Sequence, residues 1–243
     1  NIKIETFKLL IILLLISNIS WAGNEQLKIK FLAENVYQHI SYKKIEPWGL
    51  VGASGLIVID KKEAHIIDTP WTQEETAELI KWIESKDLVV KGTIVTHFHD
   101  DASGGIPYLN KSNIKTYATP LTNNLLNLNH KEISSNKVSS NPFELVEDSI
   151  EIFYPGAGHT VDNIVVWLPK SQILFGGCFV KSLNSKNLGN IEDAVIKDWP
   201  DSIQQVINKY PNIKMVVPGH GNIGGINLLK HTTKLALDTE VAK

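Results

Sequence analysis

At four places an apolar, β-branched stretch leads to a side chain able to bind a metal, three times through a Gly or Pro turn. Leu88 to Thr96 delivers His97, and Ile150 to Tyr154 leads through Gly156-Ala157-Gly158 to His159. Ile173 to Phe175 leads through Gly176-Gly177 to Cys178, and Met215 to Val217 through Pro218-Gly219 to His220. Repeating strand end, turn and ligand in this way calls for a rigid scaffold that gathers its strand ends around one site. Glycine permits the tight turns and close backbone approach such a site needs.

His97 also opens the run His97-Phe98-His99-Asp100-Asp101. With Asp101 as the carboxylate, the candidate donors are His97, His99, His159, His220, Asp101 and Cys178, the last being the only cysteine. Zinc takes about four such ligands. Six are too many for one tetrahedral ion and too few to close two. Shared between two ions, they leave positions open for water and substrate, as a catalytic site does and a structural one does not. The pattern therefore predicts a hydrolytic centre with two zinc ions. His39, His65, His130 and His231 lack a glycine-turn setting and receive no metal role.

The remaining pattern predicts strands over Leu27 to Phe31, Val36 to Ser41, Gly55 to Asp60, Ala64 to Asp68 and Ile164 to Leu168. Helices are predicted over Thr72 to Ser85, Leu121 to Leu128, Trp199 to Tyr210 (with Pro200 in its first turn) and Ile226 to Val241. Each half runs strands, helix, strand, helix. That order predicts an α/β protein, an αβ/βα four-layer sandwich of two packed sheets with helices on both outer faces.

Lys3 and Lys8, the apolar stretch Leu9 to Ile16, and Ser20-Trp21-Ala22 have the layout of a secretory signal peptide. Residues 1–22 are expected to be that signal and 23–243 a single domain, exported to the periplasm and free of the membrane after cleavage. A lone cysteine in an exported protein has no internal partner, which favours a zinc-bound thiolate. The net charge of -2 and the absence of a basic patch argue against a nucleic-acid partner. All 24 basic residues are lysines, so a substrate carboxylate must meet lysine, a backbone N–H or zinc rather than a guanidinium fork.

Several longer segments resemble the metallo-β-lactamases, and within them subclass B1. They are Ile66 to Pro70, Thr96 to Gly105, Tyr154 to Thr160, Asp162 to Pro169, Leu174 to Ser182, Asn187 to Asn190 and Val217 to His220. Cys178 followed by Lys181, with Asn190 beyond, is the most specific part. The resemblance implies one zinc on His97, His99 and His159 and a second on Asp101, Cys178 and His220. It implies that Lys181 meets the carboxylate of the lactam's fused ring and that Asn190 lies near the lactam carbonyl oxygen. Trp48, in Glu46 to Gly52, matches a mobile loop that folds over substrate. Asp101 enters the catalytic set as a metal ligand, not as a general base. The expected activity is zinc-dependent hydrolysis of the β-lactam amide bond of penicillins, cephalosporins and carbapenems, sparing monobactams and conferring resistance. A monomer is expected.

Ala102 departs from relatives that carry Arg, Lys or Ser after the aspartate. It cannot hydrogen-bond, so weaker retention of the second zinc is expected. Asp68 reads equally as support for the ligands or as a residue at a helix boundary. Ser-x-x-Lys occurs three times, but its Ser-Asp-Asn and Lys-Thr-Gly companions in serine β-lactamases are absent. The rival readings are a thioesterase or lactonase of the same fold, and a periplasmic zinc-binding protein without activity.

Overall fold

The structure is a computed structural model that describes residues 26–241. The expected signal segment, 1–22, lies outside the described residues.

The chain opens with β1 (Lys28–Ala33), β2 (Val36–Ile45), β3 (Gly49–Asp60) and β4 (Glu63–Ile67), then α1 (Gln73–Glu84) and β5 (Val89–Ile94). Two short helices follow, α2 (Asp100–Ser103) and α3 (Ile106–Lys111), then β6 (Lys115–Ala118), α4 (Pro120–Leu128) and β7 (Asn136–Lys137). These seven strands form one sheet in sequence order, antiparallel from β1 to β4 and parallel from β4 to β7. The second half supplies β8 (Phe143–Val146), β9 (Ile150–Phe153), β10 (Val165–Leu168), β11 (Ile173–Gly177), α5 (Trp199–Lys209), β12 (Met215–Pro218) and α6 (Asn227–Val241). Its five strands are ordered β12-β11-β10-β9-β8.

Period-two alternation in the strands decides what packs where. Leu56, Val58, Ile67 and Ile94 of the first sheet face Ile152, Val166, Phe175 and Val217 of the second. Their neighbours point outward: Ile57 and Ile66 pack on Leu79, Ile80 and Ile83 of α1. Val165, Leu174 and Val216 pack on Trp199, Ile203 and Val206 of α5 and on Leu228 and Leu229 of α6. Both faces of each sheet are apolar, which gives the expected four layers, αβ/βα. Burying each of these aliphatic side chains contributes about 1.5–3 kcal/mol.

Local signals set the helix starts. Thr72 caps α1 by accepting from the Glu75 N–H at 3.2 Å, and its hydroxyl donates to the Glu75 carboxylate. Thr119 caps α4 in the same way, with Pro120 in the first turn. The sequence pattern missed α2, α3, β6, β7 and β8. It also ended β2 at Ser41 and began β3 at Gly55, whereas the two strands form one long hairpin paired from Val36–Val58 to Ile45–Gly49. The segment expected as a loop over Glu46 to Gly52 is thus reduced to a tip at residues 46–48. No helix among the described residues is long and apolar enough to cross a membrane.

Strand direction gathers the donors. β12 runs parallel to β11, and β9 runs the same way because both are antiparallel to β10. The loops after β9, β11 and β12 therefore leave from one edge. Bonds from Ser54 N–H to Gly219 O (2.8 Å) and from Ile164 N–H to Thr96 O (3.0 Å) tie that edge to the first sheet.

Candidate metal centre

All six sequence-selected donors converge. Sγ of Cys178, Nε2 of His220 and Oδ2 of Asp101 form a triangle with sides of 3.0, 3.1 and 3.3 Å. His97 Nε2 lies 3.4 Å from the other Asp101 oxygen. His99 Nδ1 lies 3.2 Å from His159 Nε2, and the rings of His97, His99 and His159 sit 4.8 to 5.1 Å apart. Tetrahedral zinc with bonds of about 2.0–2.3 Å separates its ligand atoms by about 3.3–3.7 Å. The donor spacings are close to that range.

The imidazoles are preset. Thr96 Oγ1 donates to Asp68 at 2.8 Å, so it accepts from His97 Nδ1 at 3.2 Å. That leaves His97 Nε2, buried and 3.4 Å from Asp101, as the nitrogen that faces the cluster. His220 Nδ1 donates to Gly52 O at 2.8 Å, and His99 Nε2 to Asp193 at 2.9 Å. In three of the four rings one nitrogen is thus occupied by an acceptor outside the donor set, and the other faces the cluster. Metal-binding histidines are commonly held in this way. The residues present therefore fit zinc.

Electrostatics agree. Burial alone would push Asp101 up, but His220 and His97 outweigh it and hold the carboxyl well below its ordinary range. Burial, then Lys181 and His97, depresses His159 well below an ordinary imidazole. Burial, reinforced by Asp101, pushes the Cys178 thiol well up. A divalent cation reverses that last effect and deprotonates the thiol outright, so binding releases a proton.

Above the donors lies a cleft of about 430 Å³. Trp48 at the hairpin tip lines it, 56% exposed, with Ile45 and Val51 beside it. Asn190 lines it too; its amide oxygen accepts from the Glu192 N–H at 3.1 Å, leaving the NH2 group for the cleft. Lys181 is buried at the cleft floor, where burial lowers its pKa against Cys178 and Asp101.

Sequence reasoning missed three supporting residues. Asp193 follows Asn190 by three positions with no spacing motif to mark it. His39 sits in β2, and its Nε2 contacts the Asp68 carbonyl at 3.0 Å. Trp71 stacks on His220 with ring centres 6.4 Å apart. Of the two readings of Asp68, the structure favours support: its carboxylate accepts from both the N–H and the hydroxyl of Thr96. Ala102 is buried under Thr69, whose N–H and hydroxyl both donate to its carbonyl.

The sequence and fold match known proteins. A model of the metallo-β-lactamase superfamily matches residues 47–220. The chain belongs to that superfamily. A curated relative from Pseudomonas aeruginosa, named metallo-β-lactamase type 2, is 44% identical over 89% of this chain and 87% of its own. A crystal structure of VMB-1 superposes with a TM-score of 0.88 at 63% identity, covering 90% of this chain and all of that one. The metallo-β-lactamase DIM-1 superposes with a TM-score of 0.85 at 48% identity, over 90% of this chain and 99% of that one. The resemblance read from the motifs is therefore borne out, and membership implies zinc binding.

Proposed function

We propose that the chain hydrolyses the amide bond of β-lactams (penicillins, cephalosporins and carbapenems) with two zinc ions, and so confers resistance to them. One observation carries this: six donors from four segments of the chain meet, and three of the four imidazoles are already held with one nitrogen toward the cluster. His97, His99 and His159 would hold the first ion, and Asp101, Cys178 and His220 the second. Bound zinc supplies Lewis-acid chemistry, making water nucleophilic near neutral pH and polarising the lactam carbonyl.

The protein's own groups do the rest. Lys181 binds the ring carboxylate from the cleft floor and so fixes the orientation of the bicycle. The free NH2 of Asn190 donates to the carbonyl oxygen, where negative charge develops. Trp48, with Ile45 and Val51, covers the substrate and excludes water. Thr96, Asp193 and the Gly52 carbonyl hold three imidazoles in register.

The six donors come from one chain, which supports a monomer as the working unit. They draw on both sheets, which supports reading 23–243 as one domain. Export to the periplasm through residues 1–22 completes the proposal. Zinc-supplemented protein is offered a chromogenic cephalosporin, a thioester and a homoserine lactone. Preferred turnover of the cephalosporin is expected. Preference for the thioester or lactone would overturn the reading, and inertness toward all three would favour a zinc-binding protein without activity.

A further inference from the structure

Three lysines line the cleft, and the function proposed above uses only Lys181. The other two, Lys43 and Lys131, flank a single carboxylate. Lys43 Nζ lies 3.6 Å from one oxygen of Asp100, and Lys131 Nζ lies 2.8 Å from the other. These three residues come from β2, α2 and the segment after α4, so only the fold brings them together. Two ammonium groups against one carboxylate leave a surplus positive charge at the cleft wall.

Both stems are held in place. Lys43 Nζ lies 5.5 Å from the centre of the Trp71 ring, and Lys131 Nζ lies 5.7 Å from that of Phe98. Lys131 also donates to the Phe98 carbonyl at 3.1 Å. Both side chains stay about a third exposed, at 39% and 31%. They are positioned in advance yet open to a ligand, which lowers the entropic cost of meeting an anion.

Register places the pair relative to the substrate. Lys43 and Ile45 are two apart on β2 and share a face, and Lys43 sits directly opposite Val51 of β3. Lys43 is therefore the inner end of the apolar platform made by Ile45, Trp48 and Val51. In a bicyclic β-lactam the acyl arm leaves the four-membered ring on the side away from the ring carboxylate. With that carboxylate on Lys181, an arm laid along the platform brings its far end to Lys43.

We propose that Lys43 and Lys131 form a second anion subsite, selecting β-lactams whose acyl arm carries a carboxylate of its own. This rests on the β-lactamase reading above. The test compares two β-lactams that differ only in the arm terminus, a carboxylate against its carboxamide. The readout is the ratio of their kcat/KM values in the wild type, Lys43→Met, Lys131→Met and Asp100→Asn.

The wild type should favour the carboxylate, and raising ionic strength should erode that preference. Each lysine variant should lower the ratio by about 1.5-fold to fivefold, the range for partly exposed charge pairs. Asp100→Asn, which removes the competing carboxylate, should raise it. Lys43 makes no contact with the Phe98 backbone, so Lys43→Met keeps the test valid should Lys131→Met fold poorly. An equal ratio in the wild type and Lys43→Met would overturn the subsite. A wild type that hydrolyses neither compound would instead refute the β-lactamase reading.

Discussion

An imidazole offers two nitrogens, and a metal can use only the one that carries a lone pair. At this site the choice is made in advance by Thr96, Asp193 and Gly52, none of which is itself a donor to the cluster. His159 is the exception: its Nδ1 is buried without a partner. Lys181 is the other residue on which the proposal leans. Its ammonium group is buried beside Cys178 and Asp101, so a carboxylate reaching it forms a charge-assisted contact away from bulk water. Truncating it in Lys181→Met removes an interaction made equally in the ground and transition states. Steady-state kinetics should show kcat/KM reduced by about tenfold to a hundredfold, almost wholly through KM. A fall confined to kcat would place Lys181 in the chemical step instead.

Among the elements, β2, β4 and β5 meet in one buried network. His39 of β2 touches the carbonyl of Asp68, just past β4, and the Asp68 carboxylate holds Thr96, just past β5. Burial lowers His39 to about 4, against its hydrogen bond to Asp68. Burial raises Asp68 to about 7, against His97 and Thr96. The two act on stability with opposite sign. Below its ordinary pKa of 6.5, His39 takes up a proton in the unfolded chain only, so stability falls as pH drops toward 4. Above its ordinary pKa of 3.8, Asp68 has lost its proton in the unfolded chain but keeps it in the fold, so stability falls as pH rises toward 7. Each effect amounts to roughly 3–4 kcal/mol, and over this window they largely cancel. Urea midpoints of the zinc-stripped proteins should show it. Relative to the parent, Asp68→Asn should gain stability as pH rises from 4 to 6.5, and His39→Gln should lose it. Curves parallel to the parent in both variants would contradict the coupling.

For the whole molecule, legibility followed length and repetition. Strands such as β3, β10 and β11 carry apolar residues on both faces, α1 shows helical apolar spacing and α5 carries Pro200 in its first turn, so the four layers could be read directly. The helix α2 has four residues and β7 has two, too few to show any period. The six donors were legible because four of them stand at the end of an apolar run and His99 and Asp101 follow His97 at alternate positions. Asp193, His39 and the Lys43–Asp100–Lys131 group were not, because their roles exist only once distant segments meet. The same gathering of segments underlies the central claim, that this scaffold assembles a working site around two zinc ions. Protein stripped with a chelator is titrated with zinc while bound metal and cephalosporin turnover are read together. Turnover should be absent at the start and should return with zinc, levelling off at two equivalents per chain. Undiminished turnover in the stripped protein would contradict the claim.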